Sequence, residues 1–144
     1  MRKINIIYAG GFKSSEKYYR EITGEYTKRL SGDFKIENIE IKESDLKTEG
    51  KKIIEKLTPG AFKIALCIEG KKLPSEAFAS LLYKYAAADF IIGSSHGLSD
   101  EVKRSADYLL SLSDMTFTHR LARVILLEQI YRAYTIETGK TYHK

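Results

Sequence analysis

Apolar residues fall into short runs separated by stretches where they recur every three or four positions, the spacings of strand and helix. Ile4 to Tyr8 predicts a short buried strand, closed by Gly10-Gly11. From Ser14 to Leu30, the positions Tyr18, Tyr19, Ile22, Tyr26 and Leu30 keep helical spacing, with Ser14 or Ser15 as cap. Phe34 to Ile41 predicts a second strand. Its apolar parity slips between Ile36 and Ile39, as a bulge near Asn38 would produce. Ser44 to Leu57 reads as a Lys/Glu-rich helix ended by Thr58-Pro59-Gly60.

The second half is more apolar. Phe62 to Ile68 is hydrophobic apart from Lys63, as expected of a strand covered on both faces. Pro74 to Ala88 predicts a helix with proline in its first turn, followed by a strand at Asp89 to Ile92. A short helix at Ser99 to Ala106 and a last strand at Tyr108 to Leu112 follow. His119 to Ile136 is a helix apolar on nearly every side, through Leu121, Val124, Ile125, Leu127, Ile130, Tyr131 and Tyr134. Alternating strands and helices predict an α/β fold, a mostly parallel sheet with helices on both faces, in one domain spanning 1–144. The last helix carries more apolar surface than one sheet face can cover. That excess predicts a homodimer interface, the alternative being a fully central helix.

Composition narrows the partners only slightly. The 144 residues include 24 Lys+Arg against 19 Asp+Glu, a net +5 that permits a nucleic-acid partner without requiring one. The single cysteine, Cys67, cannot close an internal disulfide, which favours a reducing cytoplasm. No run approaches the roughly 18 apolar residues of a membrane span, and the charged start has too short an apolar stretch for a signal peptide.

Familiar catalytic motifs are absent. Gly10-Gly11-Phe12-Lys13-Ser14 lacks the spacing of a phosphate loop, and there is no G-x-G-x-x-G or G-x-S-x-G. One cysteine and the scattered His96, His119 and His143 offer no metal spacing. Three turns remain, each just past a strand: Glu69-Gly70, Gly93 to Gly97, and Ser113 to Thr116. Loops beyond the carboxyl ends of parallel strands are where such sheets bind ligands, although ordinary turns would look the same.

Several segments together carry a more specific signal. They are Ile91-Ile92-Gly93-Ser94-Ser95-His96-Gly97-Leu98, Leu109 to His119, Arg123-Val124, Leu127 to Ala133, and the closing Tyr142-His143-Lys144. In these segments, and in element order over the whole chain, the sequence resembles the ribosomal RNA large subunit methyltransferase H family of the SPOUT class. The resemblance implies a C-terminal trefoil knot and S-adenosylmethionine as cofactor. It further implies methylation of N3 of a pseudouridine in 23S ribosomal RNA, on the large ribosomal subunit or assembled ribosome. By the same likeness, Leu66, Gly93, Leu112, Ser113, Asp114, Met115, Thr116 and Phe117 would hold the cofactor, and no metal is expected.

Four positions depart from the family pattern: Cys67 for an acidic residue, Ser94 for glycine, His96 for an acidic or amide residue, and Thr118 for proline. Glu69, of the same strand parity as Cys67, could substitute for the missing acid. Methylating a weakly acidic N3–H requires a base or a positive field. His143 is the candidate base, on a tail with Tyr142 and Lys144 that could complete a neighbouring subunit's pocket. His119, as cap of the last helix, with Arg123 and Arg132, completes the catalytic candidates; Arg132 is also spaced to pair with Glu128. Two alternatives stay open: a non-catalytic RNA- or ribosome-binding module on a knotted scaffold, and a methyltransferase with another RNA target.

Overall fold

In the computed structural model, which describes residues 1–144, five strands form one sheet: β1 (Arg2–Ala9), β2 (Phe34–Ile41), β3 (Phe62–Lys72), β4 (Ala87–Ile92) and β5 (Tyr108–Ser111). The helices are α1 (Lys17–Leu30, entered through a single tight turn at Ser14–Glu16), α2 (Leu46–Lys56), α3 (Ser75–Tyr83), α4 (Asp100–Ser105) and α5 (His119–Thr138). All neighbours pair parallel in the order β2-β1-β4-β3-β5.

Alternation along the strands splits the core into two layers. Ile4, Ile6, Phe34, Ile64 and Phe90 face Leu30 of α1, Phe78 and Leu82 of α3, and Leu126, Leu127 and Ile130 of α5. On the other face, Ile7, Ile41, Ala65 and Ile91 meet Ile53 of α2 and Val102 of α4. Each fully buried Ile, Leu or Phe contributes roughly 1.5–3 kcal/mol. The α/β architecture with helices on both faces is as the hydrophobic pattern predicts.

Four local expectations are corrected. The β1–β2 register runs unbroken from Arg2–Phe34 to Ala9–Ile41, so there is no bulge at Asn38. The parity slip instead exchanges the buried face: Phe34 and Ile36 pack in the first layer, Ile39 and Ile41 in the second. Glu69-Gly70 is not a turn beyond a strand but part of β3. Leu66 and Lys71 both pair with Leu110, and the residues between them swing out of the ladder. A Cβ on Gly70 would lie 2.6 Å from the Leu110 carbonyl carbon, so only glycine lets the two backbones pass. Thirdly, the cap of α5 is Thr118, not His119. The Thr118 hydroxyl accepts from the Leu121 N–H at 3.3 Å, doing at this position what a helix-starting proline could not. Helix α3 also ends earlier than the pattern suggests, because Ala87 and Ala88 pair with Lys3 and Ile4 as the start of β4.

Candidate active site

The carboxyl ends of β3, β4 and β5 open toward one cluster of loops. Leu66 to Ile68 of β3 and the Ser111 to Phe117 segment wall a mainly apolar slot of about 100 Å³, with Ala122 of α5 at its back. Six of the expected cofactor residues line it: Leu66, Leu112, Ser113, Met115, Thr116 and Phe117. The segment is held by its own polar groups. The Ser111 hydroxyl donates to the Ser113 carbonyl at 2.9 Å, and the Met115 N–H donates to Ser113 Oγ at 3.0 Å. Asp114 is not part of the wall; its carboxylate pairs with Lys72.

The slot shares Cys67, Ile68, Thr116 and Phe117 with a wider polar cavity of about 800 Å³, bounded by the Ser94 to Leu98 loop, Lys103, His119 and Arg120. Gly93 stands behind this loop, not on the cavity surface. A Cβ there would meet the Gly97 carbonyl oxygen at 2.2 Å, so its smallness closes the loop on itself. Gly97, at φ +80°, makes the turn with a conformation that suits glycine. Ser94 has a structural partner: its hydroxyl donates at 2.8 Å to the buried Glu49 carboxylate, which also accepts from the Ser44 N–H at 2.7 Å. The serine that departs from the expected glycine thus gives a hydrogen bond to a carboxyl group that is almost fully buried.

Three ionisable groups around the cavity are shifted from their ordinary behaviour. Burial, then the neighbouring Glu69 carboxylate, pushes the Cys67 thiol above its usual range, so it presents a neutral S–H to the slot. Glu69 lines the polar cavity together with Cys67, and its carboxylate pairs with Lys103, which holds it below the ordinary range. Burial and the adjacent Arg120 hold the His119 imidazole below its usual pKa, and its buried Nε2 has no hydrogen-bond partner.

The five catalytic candidates are not brought together within one chain. His119 borders the polar cavity, whereas Arg123, one turn on, lies between the Tyr8 and Phe12 rings at 3.8 and 3.6 Å and faces a different cavity. Arg132 sits about 20 Å along α5 from His119, at 1.5 Å per residue. There it pairs with Glu128 and approaches His143 Nδ1 at 3.2 Å. The tail is docked, not loose. Tyr142 Oη lies 3.3 Å from Glu128 and 3.4 Å from Tyr26 Oη, and His143 Nε2 lies 2.5 Å from Glu76 of α3. The bond to Tyr26, helped by burial, pushes the Tyr142 phenol up to about 12 and keeps it protonated. A guanidinium only donates, so His143 Nδ1 accepts from Arg132 and its proton sits on Nε2 toward Glu76. The sequence did not single out Glu49, Glu76 or the two rings around Arg123, because each matters only through long-range contacts.

A parallel sheet with an apolar slot and a polar cavity beyond three strand ends has the layout in which open α/β sheets receive ligands. The family model described as "Predicted SPOUT methyltransferase" matches residues 2–143. Proteins named ribosomal RNA large subunit methyltransferase H are similar throughout. That of Caldicellulosiruptor bescii is 47% identical, with 98% of this chain and 99% of that one covered. That of Clostridioides difficile is 45% identical over 98% and 99%, and that of Streptococcus agalactiae 41% over 99% of each. A solved structure assigned to the TrmH family, from Porphyromonas gingivalis, overlaps 90% of this chain and 59% of its own at TM-score 0.49 and 12% identity, too loose a likeness to build on. The chain belongs to the SPOUT methyltransferases and, within them, to the ribosomal RNA large subunit methyltransferase H family.

Proposed function

We propose that this single-domain protein transfers a methyl group from S-adenosylmethionine to N3 of a pseudouridine in 23S ribosomal RNA, as a homodimer in the cytoplasm. The observation that carries the reading is the two-part cavity beyond β3, β4 and β5. Its apolar slot suits a purine ring, and its polar extension, with Lys103, Arg120 and backbone groups of the Ser94–Leu98 loop, suits an amino-acid moiety. Leu66, Leu112 and Phe117 would sandwich the ring, and the Ser113–Thr116 backbone would bind its edge. When bound, the cofactor supplies an already activated methyl group, so the chain's task is alignment and charge control. Gly93 serves this site by closing the loop. The C-terminal trefoil knot belongs to the same reading, and the tight passage of Gly70 against Leu109–Leu110 is consistent with it.

Acceptor chemistry falls to the tail. Arg132 and Lys144 would lower the pKa of the N3–H, Tyr142 would stack on or hydrogen-bond the base, and His143 would take the proton. In the docked tail the His143 Nδ1 lone pair is engaged by Arg132, so proton uptake requires the tail to exchange partners. A dimer supplies the exchange: Leu121, Val124 and Ile125 form a partly exposed apolar stripe on α5. Ile68 and Met115, on the wall of the slot, are 73% and 75% exposed and leave further apolar surface for a partner subunit to cover. The test is a methyl-transfer assay on purified ribosomes and naked ribosomal RNA in parallel, with mass mapping of the modified nucleotide. Methylation at a pseudouridine N3, preferentially on assembled particles, is expected. Cofactor binding without transfer to either substrate would overturn the reading.

A further inference from the structure

The face exchange in β2 leaves a polar groove that the methyl-transfer reading does not use. Phe34, Ile36, Asn38 and Glu40 share one side of β2, but only the first two enter the core. Asn38 and Glu40 instead line a cavity of about 770 Å³ between β2, the Gly11–Lys13 loop and the polar side of α1. The cations Lys13, Arg20, Lys28 and Arg123 converge there against one carboxylate, Glu40. Arg123 is the floor. It is only 7% exposed, has no salt bridge, and its Nε lacks any hydrogen-bond partner. The Tyr8 and Phe12 rings cover both faces of its guanidinium, which leaves only the edge for a ligand. An unpaired buried cation is costly, and a guanidinium edge matches the paired oxygens of a phosphate.

We infer that this groove is a second RNA contact, in which Arg123 and the cations of α1 grip a phosphodiester of the substrate backbone away from the methyl-transfer pocket. The inference rests on the RNA reading above for the identity of the polymer. Arg123 is then a positioning residue for the substrate, since it faces this cavity and not the cofactor slot. Arg20 and Lys28 are exposed and can be changed without opening the core.

The experiment measures binding of large-subunit ribosomal RNA across a salt series. It compares the wild type, Arg20→Gln/Lys28→Gln, and a control pair, Lys51→Gln/Lys52→Gln, exposed on α2 across the sheet. The groove pair is expected to weaken binding about tenfold and to flatten the slope of log K against log salt by about one or more, as expected when phosphate contacts are lost. S-adenosylmethionine affinity, read by calorimetry, is expected to stay unchanged. Unaltered affinity and slope, or an equal loss in the control pair, overturns the inference. So does saturable micromolar binding of inorganic phosphate by a groove whose loss leaves RNA affinity intact. Methyl transfer is scored separately: RNA held through the groove without transfer would overturn the proposed reaction and keep this site.

Discussion

At the N-terminal end of α5, the walls of the slot are made of backbone and apolar side chains: Leu66, Leu112, Phe117 and the turn at Ser113–Met115. About 20 Å further along the same helix, the tail cluster is made almost wholly of charged and hydrogen-bonding groups: Glu128, Arg132, Tyr142, His143 and Glu76. The first region is held by hydrogen bonds within its own turn, and the neighbouring Ser94–Leu98 loop by steric necessity at Gly93. The second is made of side chains that can change partners at little cost, since surface ion pairs are each worth about 0–1 kcal/mol. Such a division suits a rigid donor pocket served by an acceptor apparatus that must open for a large substrate.

The comparison is broken most severely by separating the subunits. Ile125→Asp would place an unpaired charge in the proposed interface at a cost of several kcal/mol. Sedimentation is expected to turn a wild-type dimer into a monomer, with methyl transfer lost. A wild type that sediments as a monomer at micromolar concentration would refute the interface. Next in size is deletion of Tyr142, His143 and Lys144. Transfer is expected to fall a hundredfold or more, about 2.7 kcal/mol in the barrier. Cofactor affinity should hold, because none of the three lines the slot. Full activity in the truncated protein would return the search for a base to His119.

A smaller effect sharpens the preformed side. Ser94→Ala removes one of the two hydrogen bonds to the buried Glu49 carboxylate. A stability loss of roughly 1–3 kcal/mol is expected from chemical denaturation, the scale of a buried polar group losing a partner. Ser94→Ala with unchanged stability would mean that water fully replaces the hydroxyl.

The order of strands and helices was legible because periodicity survives in any α/β sheet covered on both faces. The sequence also singled out the two segments that border the cavities, Leu112 to Phe117 on the slot and the loop after Gly93 on the polar cavity. Other features were hidden for a common reason. The Asn38 parity slip has the same sequence signature whether a strand bulges or exchanges its buried face, and only the pairing with β1 separates the two. Glu49 looked like one more solvated charge in a Lys/Glu-rich helix, yet it is 1% exposed because Ser94 and Ser44 reach it from distant loops. Arg123 has helical spacing from His119, but the ring of Phe12, more than a hundred residues away, decides which cavity it faces.

The finest test lies at His119, where the two regions share a helix. Burial, with Arg120 adding repulsion, lowers its folded pKa below the ordinary 6.5, while Glu43, Glu16 and Glu49 offset part of the shift. Above about pH 6.5 the ring is neutral in both folded and unfolded chains and contributes no pH dependence. As pH falls through 6.5, the unfolded chain takes up a proton that the folded protein refuses. Stability is therefore lost from there down to the lowered folded pKa and levels off below it. Denaturation midpoints at pH 7.5 and 5.5 are expected to differ more in the wild type than in His119→Gln, which has no ring to titrate. Acidic groups elsewhere act equally in both proteins and cancel in the difference. A wild type and a variant that lose stability in parallel would show that the unpartnered Nε2 meets no desolvation penalty, and that the N-terminal end of α5 is as open to water as the tail.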